Sequence, residues 1–352
     1  MIKQKILTGN GSRTAFELLD RALRSKSYKD ARYFILVDEN TSEHCLPALV
    51  AEVEALQQAE FFEVESGEGC KDIAVANNLW LSLLESGADR NAVMVNLGGG
   101  TISDLGGFVA SAYKRGIRYI NVPTSLLGMT DASIGGKTAI NSGRLKNQVG
   151  FFHLPQFVCI EPQLLATLPA REMLSGMFEM VKTFAVAERE AYLRFMERFV
   201  GAYIPEESLI YRCADIKADI VKRDFREDGE RKVLNFGHTF GHAIESLSLL
   251  HDDKPISHGE AVGLGMVCAM WLSVEKYGLD RFFYEDFAEK AFATVGRRNY
   301  TTQQTDELVS IISNDKKNVG GEVRGVLLED IGKPVYDVPL TKSEIKEAFL
   351  HV

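Results

Sequence analysis

Hydrophobic and polar positions follow two regimes along the chain. In the first part, short apolar runs alternate with stretches of helical period. Ala31–Val37 (ARYFILV) is unbroken and apolar, apart from its arginine, and stops at Asp38-Glu39-Asn40, as a buried parallel strand ends in a loop. Residues 48–59 carry helical spacing, Phe61–Val64 reads as a further strand, and Ile73–Glu85 returns to helical period before Gly87. Ala92–Leu97 (AVMVNL) is a strand that runs directly into three glycines. Strands alternating with helices predict a parallel α/β sheet with ligands at the carboxyl ends of its strands. Beyond about residue 165 helical periods dominate: Arg171–Ala187, Glu190–Phe199, Glu207–Lys222, Thr239–Leu249, Glu260–Tyr277, Phe282–Val295 and Thr305–Asn314. A small late strand is expected over Val323–Leu328, interrupted by Gly325. The expected fold class is therefore α/β + α: a Rossmann-like parallel domain over residues 1–163, then a mainly helical domain over 164–352. Pro162 and Pro169 punctuate the junction.

Composition narrows the classes. The chain of 352 residues is 45% hydrophobic and 25% charged, which excludes disorder as its dominant state. A net charge of -9 argues against a nucleic-acid partner held by a global basic field. The longest suggestive apolar run, Ala261–Val274, has two glycines and falls short of the roughly 18–20 residues a membrane span needs, so it reads as a buried helix. The N-terminal residues lack a signal-peptide pattern. Five cysteines without CxxC spacing read as apolar fillers in a reducing compartment. A cytoplasmic protein without membrane contact is expected.

Three segments carry candidate chemistry. Gly98-Gly99-Gly100 lets backbone N–H groups approach a pyrophosphate at a helix N-terminus, although Ser103 stands where the dinucleotide fingerprint has its third glycine. Asp38, ending an earlier strand, suits a ribose hydroxyl. Ser111–Gly150 holds six basic residues (Lys114, Arg115, Arg118, Lys137, Arg144, Lys146) against the single acid Asp131, a concentration that suits an anionic ligand. His238 and His242 lie four apart, on one face of a helix, and His258 follows. With a carboxylate they suit a divalent metal; Glu179 is the candidate, with Lys182 nearly one turn on. The spacing does not separate the roles of His238 and His242. A metal and NAD together suit redox chemistry on an alcohol.

The blocks GGGTISDLGGFVASAYKRGIRYINVPTSLL, DASIGGKTAIN, LKNQVGFFHLP, TLPAREMLSGMFEMVK, KADIVKRDFREDGERKVLNFGHTFGHAIE, HGEAVGLGM and a late DKK run in order through most of the chain. In these blocks the sequence resembles the 3-dehydroquinate synthase family of sugar-phosphate cyclases. The resemblance implies conversion of 3-deoxy-D-arabino-heptulosonate 7-phosphate to 3-dehydroquinate and phosphate, in the shikimate pathway. The route would be transient oxidation by NAD, phosphate elimination, re-reduction and an intramolecular aldol closure. It further implies Glu179, His238 and His258 as ligands of zinc or cobalt, with His242 assisting proton movement. Arg115, Asp131, Lys137, Asn147, Lys182, Lys217, Arg231, Asn235 and Lys317 (in preference to Lys316) match substrate-pocket positions. Asp38, Asn40, Glu68, Lys71, Gly99, Gly100, Thr101, Asp104, Thr124, Ser125, Lys146 and Thr167 match positions that line NAD. A homodimer is implied as well. Ser103, Ala132, Phe178 and residues 141–144 depart from the commoner family pattern. The competing class is a metal-dependent polyol or glycerol dehydrogenase, which would accumulate NADH without releasing phosphate.

Overall fold

The computed structural model describes residues 4–143, 145–314 and 322–352. The chain separates into two compact units, Met1–Pro169 with Glu206–Lys222, and Ala170–Pro205 with Arg223–Val352. The helix Glu207–Arg223 thus groups with the first unit, whereas the sequence reading counts it with the helical second half. Its buried face, led by Leu209, Ile210 and Cys213, explains the periodicity without saying which core it serves.

In the first unit the strands β1 (Ile6–Thr8), β2 (Tyr33–Asp38), β3 (Glu60–Val64), β4 (Val93–Gly98) and β5 (Arg118–Pro123) belong to one sheet. An antiparallel hairpin of β6 (Lys137–Ser142) and β7 (Leu145–Phe152) intervenes before β8 (Phe157–Ile160) returns to it. The sheet has six parallel strands in the order β1-β8-β5-β4-β2-β3. β4 is buried throughout, as its mostly apolar sequence suits in a central parallel strand, and its one polar side chain, Asn96, donates to Asn121 of β5. Asp38 and Gly98 end neighbouring strands, at the point where successive connections turn to opposite sides of the sheet. Ligands bind at such switch points in open α/β sheets.

The expected helix at 48–59 is shorter, Leu46–Glu52 followed by a single turn at Glu54–Leu56; Val53, with non-helical backbone angles, separates the two.

The second unit is mainly helical: Ala170–Ala187, Arg189–Met196, His238–His251, His258–Tyr277, Arg281–Val295, Thr302–Ser313 and Lys342–Ala348. Its late strand is β9 (Val323–Asp330), paired antiparallel with β10 (Lys333–Leu340), a strand that the periodicity did not reveal. Gly325 does not interrupt β9: a Cβ there would come within 2.8 Å of the Leu340 side chain, so its bareness lets the two strands close. Ala261–Val274 lies inside a buried helix, as its composition predicts, and among the described residues no helix is long and apolar enough to cross a membrane.

Candidate functional site

In the second unit three helices meet around one carboxylate. Glu179 sits in the apolar helix Ala170–Ala187 and is 1% exposed. His238 opens the helix His238–His251, and His258 opens the helix His258–Tyr277 after the capping residue Ser257. The helices approach closely because glycines face the contacts. A Cβ on Gly259 would lie 2.3 Å from the Ser175 backbone, and one on Gly265 would lie 2.1 Å from the Gly237 carbonyl.

The result is a focus of donors. Nε2 of His238 and Nε2 of His258 each stand 3.6 Å from the same Glu179 Oε1. Ring nitrogens of His238, His242 and His258 lie within 4.8 Å of one another. Glu179 Oε2 is 2.5 Å from Lys182 Nζ in a buried ion pair, yet neither carboxylate oxygen accepts a well-directed hydrogen bond from a described residue. A buried carboxylate in that state is costly unless cations surround it. Burial pushes its pKa up, but the charge of Lys182 and the two histidines outweighs that and holds it well below the carboxylate range. Burial takes His238 well below the usual imidazole value. For His258 burial acts the same way, but Glu179 and Glu245 override it and push the ring up to about 9. Two imidazoles and one carboxylate, with a third imidazole beside them, suit a divalent ion such as zinc or cobalt.

Nearby in this unit, Asp224 shapes the loop leading to the histidines. Its carboxylate accepts N–H bonds from Asp228, Gly229 and Arg231 at 3.1, 2.8 and 3.0 Å, which overcome its partial burial and hold its pKa below the usual range. Arg231 is buried and donates to the Phe225 carbonyl; desolvation brings its pKa down to about 10. Asn235 donates to Glu227 at 2.6 Å.

Of the other predicted residues, the first unit holds Asp38, Gly99, Gly100, Thr124 and Ser125 at the carboxyl ends of its strands. Gly99 caps the helix Gly100–Ala112, and Ser103 fits by returning its hydroxyl to the Gly99 carbonyl. A Cβ on Gly100 would meet Ala132 at 2.9 Å. Thr124 donates its N–H to the Gly98 carbonyl, and Ser125 accepts from Gly128. Lys71, 3% exposed, reaches Asp104 at 2.8 Å, Asn147 at 2.5 Å and Glu68 at 3.4 Å. Burial opposes its charge, but Asp104 and Glu68 raise its pKa on balance. Lys217 pairs with the Asp131 carboxylate and also donates to the Asp131 carbonyl.

Arg115, Lys137 and Lys146 are exposed, as are Asn40 and Thr167. Asp38 caps the helix that follows β2, accepting from Thr41 at 2.8 Å. Thr101 lies in the first turn of the glycine-capped helix. Lys317 and Lys316 fall outside the described residues. Three participants escaped the sequence reading. Asn141 accepts the Asn147 N–H at 2.9 Å and donates to Glu68, and nothing in the pattern marks it. Glu227 holds Asn235. Glu245 contacts His258 and did leave a signal, falling on the helix face of His238 and His242.

The fold is shared with two solved synthases. A 2-deoxy-scyllo-inosose synthase, solved with carbaglucose-6-phosphate, NAD+ and Co2+, superposes with a TM-score of 0.80 at 24% identity, over 96% of this chain and 94% of that one. A 2-epi-5-epi-valiolone synthase from Streptomyces hygroscopicus subsp. jinggangensis 5008, solved with NAD+ and Zn2+, gives 0.80 at 23% identity, over 99% and 96%. The architecture is thus that of these two synthases. Sequence narrows it: the family model for the 3-dehydroquinate synthase N-terminal region matches residues 61–175, and that for the C-terminal region matches 176–318. The 3-dehydroquinate synthase of Parabacteroides distasonis is 39% identical over 331 residues, 92% of this chain and 91% of that protein. The chain belongs to the 3-dehydroquinate synthase family, and it is an enzyme.

Proposed function

We propose that this chain converts 3-deoxy-D-arabino-heptulosonate 7-phosphate to 3-dehydroquinate with release of phosphate. The observation that carries this reading is the Glu179 focus, a buried carboxylate facing Nε2 of His238 and His258 at equal distance. On this reading Glu179, His238 and His258 hold zinc or cobalt. Asp38, Asn40, Glu68, Lys71, Gly99, Gly100, Thr101, Asp104, Thr124, Ser125, Lys146 and Thr167 receive NAD, within an NAD-binding region of residues 1–163. The structural relatives solved with NAD+ and Co2+ or Zn2+ support the choice of the two cofactors. Held by these residues, NAD would supply reversible hydride chemistry and the metal ion Lewis acidity at the alcohol oxygen.

The chain's own residues supply the rest. Lys137, Lys182, Lys217, Arg115 and Arg231 match the substrate's carboxylate and phosphate in charge, and fixed cations stabilise a leaving phosphate without reorganising. Asp131 keeps Lys217 in place. Asn147 and Asn235 are held by Lys71 and Glu227 and orient substrate oxygens. His242 moves a proton beside the metal ligands, and Lys317 adds a further cation. A substrate held in one orientation lets successive steps share one set of groups. We further take the enzyme to be a homodimer, as the family resemblance implies, and a cytoplasmic one, as its scattered cysteines suit a reducing compartment.

Incubating the purified protein with the heptulosonate phosphate, NAD and Zn2+ or Co2+ tests the reading. Phosphate and 3-dehydroquinate should appear together in equal amounts, with no net NADH. Accumulating NADH without phosphate would overturn it in favour of a polyol dehydrogenase.

A further inference from the structure

Glu245 lies on the helix His238–His251, three residues after His242 and seven after His238, so all three share a face. Its Oε2 stands 3.0 Å from Nδ1 of His258. A carboxylate only accepts, so Nδ1 is the donor and Nε2 is the nitrogen turned to Glu179. His238 reaches the same state by other means, with Nδ1 3.2 Å from the Phe236 carbonyl and Nε2 3.6 Å from the same Glu179 oxygen. The two rings differ in how firmly they are seated. Both open a helix, but the His238 side chain is 12% exposed and tied to backbone two residues away, whereas that of His258 is 34% exposed. Packing alone therefore leaves the His258 ring more freedom to turn. Glu245, 13% exposed, reaches it from a different helix.

We propose that Glu245 is a positioning residue for the metal centre: it orients the His258 imidazole and selects Nε2 as the ligand atom. The inference rests on the assignment of Glu179, His238 and His258 as metal ligands. Outer carboxylates of this kind raise the basicity of a ligating histidine and fix its orientation.

The test compares Glu245→Ala, Glu245→Gln, Glu179→Ala and His258→Ala with the parent protein. Metal affinity is measured by competition with a chelator for Co2+, and the ligand-field absorption spectrum of each Co2+-loaded protein is recorded. Removing an outer partner typically weakens metal binding ~10–100-fold, and Glu245→Ala should fall in that range with an altered spectrum. Glu245→Gln keeps the shape and an oxygen acceptor but not the charge, and should show a smaller loss. Should the alanine variant fail to fold, the glutamine variant decides. A folded Glu245 variant with affinity within about twofold of the parent and an unchanged spectrum overturns the proposal. If Glu179→Ala and His258→Ala also leave affinity unchanged, the ligand assignment itself has failed. If they abolish binding while the Glu245 variants do not, only the role of Glu245 is lost.

Discussion

His238 and His242 occupy equivalent places in the sequence pattern, one turn apart, and spacing treats them alike. In the structure His238 has Nδ1 engaged by a carbonyl and Nε2 facing Glu179, while His258 turns Nε2 to the same Glu179 oxygen and Nδ1 to Glu245. Taken with the proton-moving role proposed for His242, these contacts yield a prediction at single residues. His238→Ala and His258→Ala should each weaken metal binding by at least ~100-fold, more than the loss of an outer partner. His242→Ala should retain metal while its turnover drops roughly 10²–10⁴-fold, the usual contribution of a proton-transfer group. Equilibrium dialysis with zinc, set beside steady-state rates, checks both. An H242A protein as poor in metal as H258A would reverse the two roles.

Helix packing turns these residues into a site. His258 stands next to Gly259, whose bare Cα lets its helix lie against the Ser175 backbone of the Glu179 helix. Gly259→Ala would place a methyl group 2.3 Å from that backbone, too close to be relieved by turning a side chain. Overpacking of this sort costs about 1–3 kcal/mol, and here the helix must move with His258 at its first turn. The variant should therefore unfold at lower denaturant concentration and bind zinc more weakly. Parental stability together with parental zinc affinity would show that the close approach does not set the site. Most of these elements were legible: the helix over Ala170–Ala187, the buried helix ending at Tyr277 and the strand entering the glycine triplet all follow from apolar period and length. β1, β5, β6, β7, β8 and β10 were not. β5 opens with Arg118 and carries Asn121, itself buried and paired with Asn96 of β4 at 2.9 Å, so its polar residues leave only short apolar runs to read. β10 holds two prolines, which mark a turn unless the partner strand is known.

At the scale of the molecule, the residues assigned to NAD belong to one compact unit and those assigned to metal belong to the other. The two affinities should accordingly be separable. Lys71→Met removes the cation shared by Asp104 and Asn147, and losing a charged hydrogen-bond donor costs roughly 1.5–3 kcal/mol, or ~10–100-fold in NAD affinity. Its zinc affinity should stay within about twofold of the parent, while Glu179→Ala should show the converse. Titrations of each variant with NAD and with zinc check this; loss of both affinities in either variant would contradict independent sites. The glycine triplet after a strand, the local excess of lysine and arginine and the histidine triad were visible in the linear order, because each is a short-range pattern of residue type. Periodicity likewise determined which half carries a parallel sheet and which is helical, since burial of one face imposes it locally. Folding alone decided which core the helix Glu207–Arg223 joins, which histidine nitrogens face Glu179, and that Glu245 stands behind His258. Those outcomes depend on contacts between helices distant in sequence, where the approach distance is set by a missing Cβ and no local pattern records the partner.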